Sequence, residues 1–130
     1  MKRDGSIYLN YVCPNCFNAI NNCICIFFPP YTAILVDKNI QEHIRILNNK
    51  GYRTIGCCEG HYKERCISTY ICFAQEYNFN ELPKGFKYSK AKRMVYFEYS
   101  LRLSKEEMEE IKKEKIANLL QWCNELNKLE

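Results

Sequence analysis

The chain has 130 residues, 47% of them hydrophobic and 14% aromatic, with 10 tyrosines, 9 cysteines and a formal net charge of +4. That length and apolar content suffice for one domain, or one domain with a small appendage, and they exclude a disordered chain. No run approaches the roughly 18 apolar residues needed to span a bilayer. The start, "MKRDGSIYLNYVC", lacks the apolar stretch and small-residue cleavage site of a signal peptide. A cytoplasmic protein with no membrane partner is expected, and the mild positive charge permits an anionic partner without demanding one.

In chain order, "SIYLNYV" (6–12) alternates as a short strand. "CPNCFNAINNCIC" follows, and "FFPP" (27–30) closes the unit because two prolines cannot continue a ladder. This divides the chain into a zinc-ribbon-like knuckle over 1–30 and an α+β domain over 31–130. "YTAILV" (31–36) reads as a buried strand. Asn39 with Glu42 three residues on predicts a capping box that opens a helix. Ile40, Ile44 and Leu47 recur on one face of it, with Ile46 close to the stripe, and Asn48, Asn49, Lys50 and Gly51 close it. His43 on this helix reads as a partly exposed surface histidine.

"YRTIGC" (52–57) and "ISTYICFA" (67–74) read as strands joined by a loop, and "MVYFEYSL" (94–101) as the last strand. Ser104 with Glu107 predicts a second capping box at the head of a long helix. Met108, Ile111, Ile116, Leu119, Leu120, Cys123 and Leu126 line one face of that helix, with Trp122 beside it. The broad apolar end formed by Leu119, Leu120, Trp122, Leu126 and Leu129 suggests a homodimer surface. A cysteine knuckle followed by β-α-β-β-β-α argues for an α+β fold, a largely antiparallel sheet with two helices packed on it.

An odd cysteine count in a reducing compartment favours ligands, core residues or reactive groups over a disulfide framework. Cys13, Cys16, Cys23 and Cys25 form C-x2-C-x6-C-x-C. Two close thiolate pairs across a short loop can surround Zn²⁺ tetrahedrally. Four protein ligands leave no place for water, so this zinc is expected to be structural. Four core cysteines or an iron–sulfur cluster are the other readings.

The loop "GCCEGHYKERC" (56–66) has three readings. Cys57 or Cys58, His61 and Cys66 would make a second metal site. Cys58 as nucleophile with His61 as base would make a catalytic one. The favoured reading is a loop that grips a ligand. Gly56 and Gly60 let the backbone turn tightly, its N–H groups form an anion nest, and His61, Lys63 and Arg65 add positive charge. Glu59 would accept hydrogen bonds from a ribose or base edge. The expected ligand-binding set is therefore Cys58, Glu59, Gly60, His61, Lys63 and Arg65. Either of Cys57 and Cys58 can instead face the core, and the roles of Cys66 and Cys72 stay open. "KGFKYSKAKR" (84–93) carries five basic residues with Phe86 and Tyr88 interleaved. That mixture holds nucleotides or single strands, or else forms a solvated hairpin edge.

The stretch "IRILNNKGYRTIGCCEGH" followed by "YICFA" resembles small uncharacterised proteins of Firmicutes and their phages. Those proteins carry a helix, G-Y-x-T and a C-E-G-H loop behind a cysteine knuckle. An asparagine- and isoleucine-rich composition agrees with such an AT-rich source. Tyr52, Thr54, Cys58 and Gly60 are also similar, more remotely, to the SSH-type domain of the wybutosine-synthesising tRNA methyltransferases. The glycine-flanked loop, the basic stretch and the lack of a complete catalytic set favour a zinc-containing, non-enzymatic binder, and the first resemblance implies a phage accessory protein that evades host defence by sequestering a nucleotide signal. The second implies an RNA-modifying enzyme using S-adenosylmethionine. A third class is an adaptor that blocks a host factor through its knuckle and long helix.

Overall fold

The computed structural model describes residues 9–12, 34–62 and 67–129. Strand β1 (Leu9–Val12) pairs antiparallel with β2 (Ile34–Asp37). A 3-10 turn over Lys38–Ile40 leads into helix α1 (Gln41–Asn49). Strands β3 (Thr54–Cys58), β4 (Ser68–Phe73), β5 (Lys87–Ser89) and β6 (Met94–Glu98) form a second antiparallel sheet in the order β3-β4-β6-β5. Helix α2 (Lys105–Glu125) follows. The expected α+β class holds, with two helices and a four-stranded antiparallel sheet. Among the described residues no helix is long and apolar enough to cross a membrane. The cysteines of the expected knuckle, Cys13, Cys16, Cys23 and Cys25, lie outside the described residues.

Period-two alternation sends Thr69, Ile71 and Phe73 of β4 inward, together with Val95 of β6. Ile71, Phe73 and Val95 meet Ile40, Ile44 and Leu47 from α1 and its approach, and Leu119, Trp122 and Cys123 from α2, in one core. Both helices therefore cover the same face of the sheet. A knot of rings around Phe79 extends this core, with centroids 5.4 Å from Phe73, 5.5 Å from Tyr88 and 5.1 Å from Trp122. Aromatic pairs in these tilted and edge-on geometries add to their area burial.

The two helix starts differ. At α2 the capping box forms in full: Ser104 Oγ accepts from the Glu107 amide, and the Glu107 carboxylate accepts from the Ser104 amide. At α1 it does not. The chain enters through the 3-10 turn, Ile40 takes the cap position with no side-chain bond, and Glu42 pairs instead with Arg45. The reason is long-range, because the Asn39 side chain is drawn to Glu59, 20 residues away.

His43 corrects a second expectation, being buried at 2% exposure. It lies three residues after Ile40 and four before Leu47, on the apolar stripe. Its Nε2–H donates to the Ile116 carbonyl at 2.9 Å.

Strand β5 falls in the stretch expected to be turn-like or a hairpin edge, and it is an edge strand paired with β6. Phe86 is buried and Tyr88 packs on the core, so neither aromatic of that stretch stands free in solvent. At the far end, Lys50 Nζ donates to the carbonyls of Cys123, Asn124 and Leu126 at 2.8, 2.7 and 2.6 Å. Helix α2 has no basic residue in its own last turn, so Lys50 supplies the cation its carboxyl end favours. Leu119 and Trp122 of the suggested dimer surface are core residues, whereas Leu129 is exposed.

Candidate metal centre

Asp37 ends β2 and Cys58 ends β3, and the two strand ends meet. The Glu59 amide donates to Asp37 Oδ2 at 2.7 Å, and His61 Nε2 stands 3.1 Å from the same oxygen. One donor atom each from Asp37, Cys58 and His61 falls within a set no more than 4.8 Å apart. Two nitrogen or oxygen ligands of one tetrahedral zinc stand roughly 3.3 Å apart, given bonds of about 2.0 Å. The Asp37–His61 separation already matches that edge. The Cys58 sulfur lies within 4.8 Å of both, and as a zinc ligand it would take a longer bond of about 2.3 Å.

The turn after Cys58 is fixed from several sides. Gly60 has φ +93, where a Cβ would lie 3.0 Å from Tyr99 Cε2 and 3.4 Å from Thr69 Oγ1. Glycine is therefore required by both conformation and space. The Gly60 amide donates to Cys58 Sγ at 3.3 Å. Thr69 Oγ1 donates to the Glu59 carbonyl at 2.9 Å, which leaves Tyr99 to donate to Thr69 at 2.6 Å.

Glu59 is fully buried, and its carboxylate is turned into the protein. It accepts from the Asn39 amide at 3.1 Å and from Asn39 Nδ2 at 2.8 Å, and it pairs with Lys112 Nζ at 2.7 Å. Buried charges persist when paired and hydrogen-bonded in this way. Asp37 is also buried, at 4% exposure. Two carboxylates thus meet one lysine and one half-buried histidine. The Asp37 hydrogen bond holds His61 above its ordinary pKa despite burial, as expected of a site that attracts positive charge.

Cys58 is disulfide-bonded in the structure, a state in which sulfur is not an anionic donor. The reduced thiolate is the form that completes the Asp37–Cys58–His61 set. Cys57, Cys72 and Cys123 are free thiols. Burial pushes Cys57 and Cys123 up to about 12, so both stay protonated and unreactive at neutral pH. Cys57 packs against the core and Cys58 turns toward Asp37, the split that neighbours on a strand must make.

Of the residues expected at the ligand loop, the structure brings Cys58 and His61 together, makes Gly60 the pivot and commits Glu59 to the interior. Lys63 and Arg65 lie outside the described residues, as does Cys66. Sequence reasoning missed Asp37 and Lys112. Each leaves a trace: Asp37 interrupts the apolar "AILV" run, and Lys112 sits four residues from both Met108 and Ile116 on the apolar stripe of α2. No protein-family model, curated protein or solved structure matches this chain.

Proposed function

We propose that the protein is a metal-dependent binding protein. In this reading Asp37, the Cys58 thiolate and His61 hold one divalent ion, and the ion's remaining position takes an anionic group of a ligand. The convergence of the three donor atoms within 4.8 Å carries the reading. A mixed oxygen, sulfur and nitrogen set suits zinc, and three protein ligands leave a tetrahedral ion one open position.

Anion capture by bare backbone is less well supported. The Glu59 and Gly60 amides that would form the nest already donate to Asp37 and Cys58. An ion would add positive charge beside His61, and this retains the sequence-based expectation of an anionic, nucleotide-type ligand. A binder is favoured over a hydrolytic enzyme because Glu59, the carboxylate next to Cys58, is sealed against Lys112 and Asn39. The structural zinc expected at Cys13, Cys16, Cys23 and Cys25 belongs to the same proposal as a separate ion, as does the phage accessory role.

The test is calorimetric titration of zinc into dithiol-reduced protein and into the disulfide form. The reduced protein should take up one more ion per chain than the oxidised one, and inorganic phosphate should then bind only the metal-loaded form. Equal uptake by both forms would defeat the assignment of Cys58.

A further inference from the structure

The helices cover one face of the β3-β4-β6-β5 sheet, and the register defines what stands on the other. Tyr70 of β4 lies opposite Tyr96 of β6, which lies opposite Lys87 of β5. In the adjacent row Cys72 lies opposite Met94, and Met94 opposite Ser89. None of these side chains belongs to the hydrophobic core or packs against it. Tyr70, Ser89, Lys92, Met94, Tyr96 and Glu98 line a cleft of about 320 Å³ on this face. Lys92 lines the cleft and Lys87 lies opposite Tyr96 beside it, and Lys84, Lys90 and Arg93 belong to the same basic stretch; all five are exposed.

We infer that this open sheet face, with Tyr70 and Tyr96 at its centre and the Lys84–Arg93 hairpin at its rim, binds single-stranded RNA. Paired tyrosines on neighbouring strands offer flat surfaces on which unpaired bases stack, while the basic rim neutralises phosphates. A duplex hides its bases and cannot use such a surface. Ser89 and Glu98 border the cleft with a hydroxyl and a carboxylate that can bond the ribose 2′-hydroxyl, a group DNA lacks. The aromatics interleaved in the basic stretch, Phe86 and Tyr88, do not do this stacking because both pack inward. Tyr70 also lies opposite Cys58 in the register, so the surface borders the candidate metal centre, but neither base stacking nor phosphate neutralisation requires an ion there.

Fluorescence anisotropy with a labelled 10-nucleotide RNA, measured with and without a metal chelator, tests it. Binding should persist with chelator and weaken steeply as salt rises. The Tyr70→Ala/Tyr96→Ala variant should bind at least tenfold more weakly, and Tyr70→Phe/Tyr96→Phe nearly as wild type. Lys87→Glu/Lys92→Glu changes only exposed residues and should abolish binding with the melting temperature unchanged. Wild-type affinity in the charge-reversed variant, or equal affinity for duplex RNA, would overturn the surface. Equal affinity for DNA of the same sequence would overturn the assignment to RNA.

Discussion

Gly60 and His43 show how single residues set the limits of this fold. In Gly60→Ala the new methyl meets the Tyr99 ring while the backbone stays at φ +93. The expected loss is about 1–3 kcal/mol, the usual range for a side chain held in a glycine-only conformation, read by urea denaturation. His43 acts through protons. Burial lowers its pKa, opposed by its bond to the Ile116 carbonyl and by Glu42. Its Nδ1 has no hydrogen-bond partner among the described residues, so a second proton there would be an unpaired buried charge. The unfolded chain takes up that proton near the ordinary value of about 6.5. Stability from His43 is therefore complete above that pH and is lost as pH falls through it. His61 has the opposite sign: its raised pKa contributes stability at low pH that declines as pH rises through the folded value. His43→Gln should accordingly lose less stability than wild type between about pH 7.5 and pH 5.5. An unchanged pH slope would show that His43 is not the group responsible. The burial of His43 was legible in its spacing from Ile40 and Leu47, which outweighs the general preference of histidine for partial exposure.

At the scale of elements, local signals were readable and long-range ones were not. Ser104 and Glu107 lie three residues apart and cap α2 as expected, because nothing distant competes for either side chain. Asn39 and Glu42 have the same spacing, yet Asn39 is taken by the buried Glu59 carboxylate, a stronger acceptor than a helix terminus offers a donor. No spacing rule links Asn39, Glu59 and Lys112, since they come from three elements that only the folded chain brings together. For the same reason Cys58, Gly60 and His61 were visible as one loop, whereas Asp37 on another strand was not. Lys112→Met should cost about 3–5 kcal/mol by leaving Glu59 charged and unpaired, and Glu59→Gln with Lys112→Met should recover much of it. Melting temperatures of the single and double variants check this. A double variant as unstable as the single would mean that packing, rather than charge, is what Lys112 provides.

For the whole molecule, the architecture divides the labour. Two helices seal one face of the sheet, the joined ends of β2 and β3 bring the candidate donors together, and among the described residues no helix covers the other sheet face. The Glu59–Lys112–Asn39 network ties α2 and the approach to α1 to the turn that carries Cys58 and His61. This holds Asp37 and His61 close together before any ion arrives, which limits the ordering cost of binding for those two donors. The most direct measurement is elemental analysis of reduced, zinc-equilibrated protein beside Asp37→Asn, His61→Ala and, as control, His43→Gln. Asp37→Asn and His61→Ala should each hold one ion per chain fewer than wild type while His43→Gln matches it. Metal content unchanged in folded Asp37→Asn and His61→Ala would contradict the assignment of this centre.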